Sequence, residues 1–260
     1  MKFEISDSIE VLIQRIEEET GKPVRWVQAD GMPSMVEVRP ARNADADHQM
    51  YISKDFRNPE GQHLIACKGY QILRIFREPE KDRLVPSAGQ DQLNNARMRL
   101  ASAAEGRPDL AQALNEDEIV RSWVFGVVNQ LISQPGDLHI QKAIRDNHQD
   151  LQEAQDLILE QQFKDFKAAM SEEVRLFSPK LIYDASLIMN AVYLSLLDRQ
   201  IGSDYMSRID KMPQSRKIDR LLEASMAVFE DSPEADRRMI DAWADFLHIR
   251  DWFEWVPFES

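Results

Sequence analysis

Apolar residues recur at three- and four-residue spacing near the start of the chain. Ile9, Leu12, Ile13 and Ile16 form one stripe, which predicts a helix from Ile5 to Glu19, ended by Gly21 and Pro23. The period then drops to two. Val24 to Gln28 (VRWVQ) and Met35 to Arg39 (MVEVR) alternate around the turn residues ADGMPS and predict a hairpin. Gln49 to Ser53 (QMYIS) predicts a third short strand. Pro59 opens a second helical pattern over 60–76, whose apolar positions are Leu64, Ile65, Ile72, Leu73 and Phe76. After the charged connection REPEKDRLVPSAGQ only helical periodicity remains, near 91–104, 116–133, 137–170, 179–199, 203–211, 214–230 and 233–250. Pro108, Pro135, Pro179, Pro213 and Pro233 punctuate these segments.

This layout predicts an α+β fold that is predominantly α: a small antiparallel or mixed sheet packed on helices, followed by an α-helical bundle. Residues 1–85 read as the α+β domain and 86–260 as the helical domain with an aromatic tail. SLIMNAVYLSLLD is apolar on more than one face and should be a central helix. Its Met189 and Asn190 are candidates for the wall of an internal pocket, with core packing the safer reading for the methionine. The acidic clusters NEDEI, MSEEV and EDSPEAD fall at predicted helix starts, where carboxylates complement the helix dipole.

Composition narrows the function. Of the 260 residues 43% are hydrophobic and 30% charged, as in ordinary globular proteins, and only 9 are Gly, which disfavours phosphate-cradling loops. The formal net charge is −13 and no block of Lys and Arg is present, so neither nucleic acid nor an anionic membrane is an expected partner. No run reaches the ~18 apolar residues of a membrane span. The first residues, MKFEISDSIE, have no apolar core of a signal peptide, so the expected location is cytoplasmic. With Cys67 the single cysteine there is no disulfide framework or cysteine-rich zinc site. No G-x-S-x-G, Walker A or G-x-G-x-x-G motif occurs, and no cofactor is expected.

The chemistry concentrates on HLIACKGYQILRIF, His63 to Phe76. Two strands and a third lead into a helix whose outline, with NPEGQHLIACKGYQILRIFREP, resembles the active-site helix of small zincin-like metallopeptidases of the ImmA/IrrE kind. The resemblance spans roughly residues 24–80, and a looser echo runs from QPGDLHIQKAI through the SPKLIYDASLIMN segment. It implies a three-strand, helix-backed cleft in which H-E-x-x-H supplies two zinc ligands and a general base. In that alignment Cys67 stands at the first His, Lys68 at the Glu, Gln71 at the second His, and Gln141 where a third, carboxylate ligand belongs. An ammonium cannot act as base and repels a cation, and an amide is a poor zinc ligand. The resemblance therefore implies a non-catalytic pseudo-metallopeptidase with no bound metal, acting as a protein-binding regulatory or structural subunit, in bacterial stress response or mobile-element defence.

Two other readings stay open. His63 and Cys67 share a helix face and, with Lys68, could form an unusual hydrolytic centre, or with His139 or His148 a soft metal site. The chain could also be a purely structural, mostly-α interaction protein that self-associates. The aromatic end, with Trp252, Phe253, Trp255 and Phe258, is the candidate partner-binding surface, and its alternative is a tail docked on the chain's own bundle.

Overall fold

The computed structural model describes residues 4–103 and 106–258. Its order begins with α1 (Asp7–Thr20), β1 (Val24–Ala29), β2 (Val36–Arg39), β3 (His48–Ser53), α2 (Glu60–Phe76) and β4 (Leu84–Ser87). The helical part follows: α3 (Gln90–Ala103), α4 (Pro108–Ala113), α5 (Asp117–Asn147), α6 (Gln152–Ala169), α7 (Glu172–Phe177), α8 (Lys180–Ile201), α9 (Ser215–Ala227) and α10 (Pro233–Phe246), with β5 (Glu254–Pro257) at the end. The fold is α+β and predominantly α, with one three-stranded and one two-stranded sheet among the described residues.

The chain divides into two compact units. The first takes residues up to Leu84, then His139–Glu160 and the chain end from Pro257; the second takes Val85–Leu138 and Gln161–Val256. In the first unit the strand order is β1-β3-β2, with β1 parallel to β3 and β2 antiparallel to it. The predicted hairpin is thus corrected: β1 and β2 flank β3 and do not pair with each other. The turn residues satisfy a loop of either kind. What decides the pairing is β3, the most buried of the three strands, which sits in the centre with Met50 fully buried.

α1 carries the expected stripe of Ile9, Leu12, Ile13 and Ile16 into the core and ends at Gly21, whose left-handed φ of 66° places its N–H on Glu17 O. α2 buries Ile65, Ala66, Tyr70, Ile72 and Leu73 against the same core. Gly69 marks the crossing of the two helices: a Cβ there would lie 3.0 Å from Leu12 Cδ2 and Ile16 Cδ1. Ile140, Ile144 and Leu151 join this core from a distant part of the sequence.

In the second unit α8 is buried along most of its length. By length and composition it is the one described helix that could cross a membrane, but 67% of its most apolar window is buried inside the protein, as in a core helix. α9 and α10 are tied by Trp243 Nε1, which donates to Ser225 Oγ at 2.7 Å with both residues fully buried. Ser232 caps α10 by accepting from Ala235 N, and Ser171 caps α7 by accepting from Val174 N. Both helices carry carboxylates in their first turn, as the acidic clusters predict.

Three segments depart from the periodicity reading. Pro135 does not divide a helix: α5 runs through it and buries Leu131, Pro135 and Leu138 on one stripe, so packing outweighs the one hydrogen bond lost. The segment predicted as 137–170 breaks instead at His148, whose φ of −126° and ψ of 73° are not helical. The segment at 203–211 forms only a single turn, Met206–Arg208.

Candidate functional site

α2 presents His63 and Cys67 on one face, four residues apart. Gln141, on the last turns of α5, meets them there. His63 Nε2 lies 3.2 Å from Gln141 Oε1, Cys67 Sγ lies 3.8 Å from either ring nitrogen, and Gln141 Nε2 donates to Cys67 Sγ at 3.7 Å. Gln155 of α6 closes the set, its Nε2 donating to Gln141 O at 2.8 Å and to Gln141 Oε1 at 2.9 Å. Exposure is 1% at His63, 8% at Cys67, 2% at Gln141 and 0% at Gln155.

The donors fix the protonation pattern. Gln141 Oε1 accepts from Gln155 and, across from His63, needs the Nε2–H tautomer of a neutral imidazole. Nδ1 is then the acceptor that faces the thiol. Burial agrees with a neutral ring, since it pushes the His63 pKa down to about 4 despite the hydrogen bond to Gln141. Separating the pair into thiolate and imidazolium would bury two charges, and the nearby Arg145 guanidinium disfavours the imidazolium further. Gln155 Oε1 is buried and meets no donor among the described residues.

Sequence and structure overlap here in part. Cys67 and Gln141 come together, with His63 as the third member. Lys68 does not join them: its ammonium turns to β2 and lies 3.6 Å from a Glu37 carboxylate oxygen. Gln71 is half-buried one turn beyond Cys67 and makes none of the set's hydrogen bonds. Among the described residues no group of three or more His, Cys, Asp or Glu could hold a metal ion.

His148, nominated to complete a metal site, is used otherwise. Its Nδ1–H donates to Ser8 Oγ at 3.1 Å, Ser8 donates on to Asp150 Oδ2, and Tyr70 Oη donates to Nε2 at 3.1 Å. Burial holds its pKa down. His48 is a third buried imidazole: Nδ1 accepts from Ala41 N at 2.9 Å, and Nε2–H donates to Thr20 Oγ1 at 3.0 Å. Burial and the nearby Lys22 push its pKa down to about 4.

The candidate partner-binding residues lie mostly inside. Trp252, Phe253 and Phe258 are 0%, 2% and 2% exposed. Phe258 packs edge-on to Phe76 at 6.1 Å, and the half-buried Trp255 donates from Nε1 to Asp241 Oδ1 at 2.9 Å. What this segment leaves for a partner is part of Trp255.

Sequence reasoning did not find Gln155 or the roles of His48 and Tyr70. Gln155 carried a signal: it lies on the stripe of Leu151, Ala154 and Leu159, where an apolar residue is expected. Comparison with family models, curated proteins and solved structures finds no match to this chain.

Proposed function

We propose that this chain is a non-catalytic, zincin-like scaffold that binds a protein partner in the manner of a regulatory or structural subunit. The observation that carries this reading is the meeting of His63 and Cys67, four apart on α2, with Gln141 from a later helix. In a zincin that geometry belongs to two ligands of the active-site helix and a third from a following helix. Here His63 keeps one ligand position, Cys67 takes the second, an amide replaces the third, and Leu64 stands where the general base would be. This shifts the ligand frame by one helical turn from the one through Cys67, Lys68 and Gln71. The Gln141 amide joins the other two side chains directly, accepting from His63 and donating to Cys67.

The peptide-binding half of the reading rests on β2. It pairs with β3 on one side only. The hydrogen bond from Ser53 N to Met35 O sets the ladder's phase, so Glu37 and Arg39 bond inward while Val36 and Val38 turn their backbone N–H and C=O outward; Ser34 Oγ engages both groups of Val36, which leaves those of Val38 for a partner. An extended segment of a partner can add there as a fourth strand, beside α2. The test is co-purification from extract of the cell that makes the protein. A partner retained by the native chain should be lost in Val38→Pro, which removes one outward N–H and leaves the β2–β3 ladder intact. Equal capture by both proteins would overturn the edge-strand reading.

A further inference from the structure

In the second unit α5, α6 and α8 line an open pocket of about 490 Å³, within the range of small-molecule sites. α5 gives it Gln130, Gln134 and Asp137, spaced to share one face, where a bundle helix would ordinarily turn apolar residues to its neighbours. α6 answers with Asp165 beside Phe166, and α8 with Asn190, Tyr193 and Leu194. Asn190 is thus in a pocket wall, while Met189 beside it is fully buried.

The wall has a chemical bias. Two of its side chains are carboxylates and none is Lys, Arg or His. Its own donors are largely committed: Gln134 Nε2 donates to Asn190 Oδ1 at 2.8 Å, and Tyr193 Oη donates to Asp137 Oδ2 at 2.6 Å. Gln134 Oε1 is buried and meets no donor among the described residues. Acceptors and negative charge therefore exceed donors and positive charge, around a floor formed by Phe166 and Leu194. A matching ligand supplies N–H donors, carries positive charge and has an apolar stem; an ammonium has three donors and no acceptor.

We propose that this pocket binds a linear aliphatic amine of the diamine or polyamine class, with its ammonium groups at Asp137 and Asp165 and its methylenes over Phe166 and Leu194. A chain of net charge −13 attracts any polycation diffusely, so the test must separate a site from an atmosphere. Isothermal titration of the whole chain with 1,4-diaminobutane and with spermidine, at about 0.15 M salt to screen diffuse attraction, should give saturable one-to-one binding, and 1,4-butanediol none. Asp165→Asn should weaken amine binding about ten-fold or more through loss of a charge-assisted contact. Asp219→Asn, which removes an exposed charge outside the pocket, should leave it unchanged. Ala169→Phe, filling the pocket from its half-exposed wall, should abolish it while circular dichroism stays native. Absence of saturable binding overturns the proposal. So does equal weakening by the two Asp→Asn changes, binding that survives Ala169→Phe, or binding confined to basic peptides.

Discussion

Burial pushes the pKa values of His48, His63 and His148 down in the first unit, and that gives its stability a direction with pH. His48 and His63 have pKa values of about 4 when folded against 6.5 in the unfolded chain. A lowered folded value means that the unfolded chain binds more protons between the two. The stability these rings contribute is fully present above about pH 6.5 and is lost as pH falls from there through pH 4, by about 3 kcal/mol for each ring as an upper figure. His48 shows why at the level of atoms: protonated Nδ1 would point a hydrogen at the N–H of Ala41. Urea unfolding at pH 7, 5.5 and 4.5 should show a falling midpoint, and a flat profile would refute the neutral assignment. At the same scale, Gln155→Leu should cost less than Gln141→Leu: it removes the donor to Gln141 O and Oε1, but it also removes a buried acceptor that has no donor, and Gln141 Oε1 keeps His63. Gln141→Leu should cost about 1–3 kcal/mol, because it strands the His63 N–H and removes one of the two acceptors of the Gln155 amide; thermal melts of the two variants compare them.

At the scale of elements the contacts that hold each unit are narrow. α1 and α2 cross at Gly69 with no room for a side chain. Gly69→Val should force Leu12 and Ile16 aside at about 1–3 kcal/mol, read as a lower melting temperature. In the second unit Ser225→Ala should cost a similar amount by leaving the buried Trp243 N–H without its acceptor. The helices α1, α2, α3, α8, α9 and α10 were legible in the sequence, because each carries its own apolar stripe and end signals. Strand pairing was not, since ADGMPS permits a hairpin and only the burial of β3 excludes it. The short helices α4 and α7 and the strands β4 and β5 were also hidden, being too brief to set up a period. At the site, the i,i+4 pair His63 and Cys67 was visible as a shared helix face. Gln141 reaches it across 78 residues of chain from His63 and 74 from Cys67, with Gln155 farther on, and no local pattern encodes such a meeting.

At the scale of the molecule, the proposal is that α2 keeps the outline of a metal-binding helix, with an imidazole, a thiol and an amide at its three ligand positions. The buried set ties α2 to the end of α5 and the start of α6, which lie far apart in sequence. On the proposed reading this frame serves as a structural joint, and the outer edge of β2 at Val38 takes the partner. The account can be tested by restoring what it says was lost. Zinc content should be measured by elemental analysis on the purified native chain and on the triple variant Leu64→Glu, Cys67→His, Gln141→Glu, with circular dichroism to verify folding. The account predicts no stoichiometric zinc in the native chain and about one zinc per folded variant, the yield of a two-His, one-carboxylate site. Stoichiometric zinc in the native chain, or a folded variant that takes none, would contradict it.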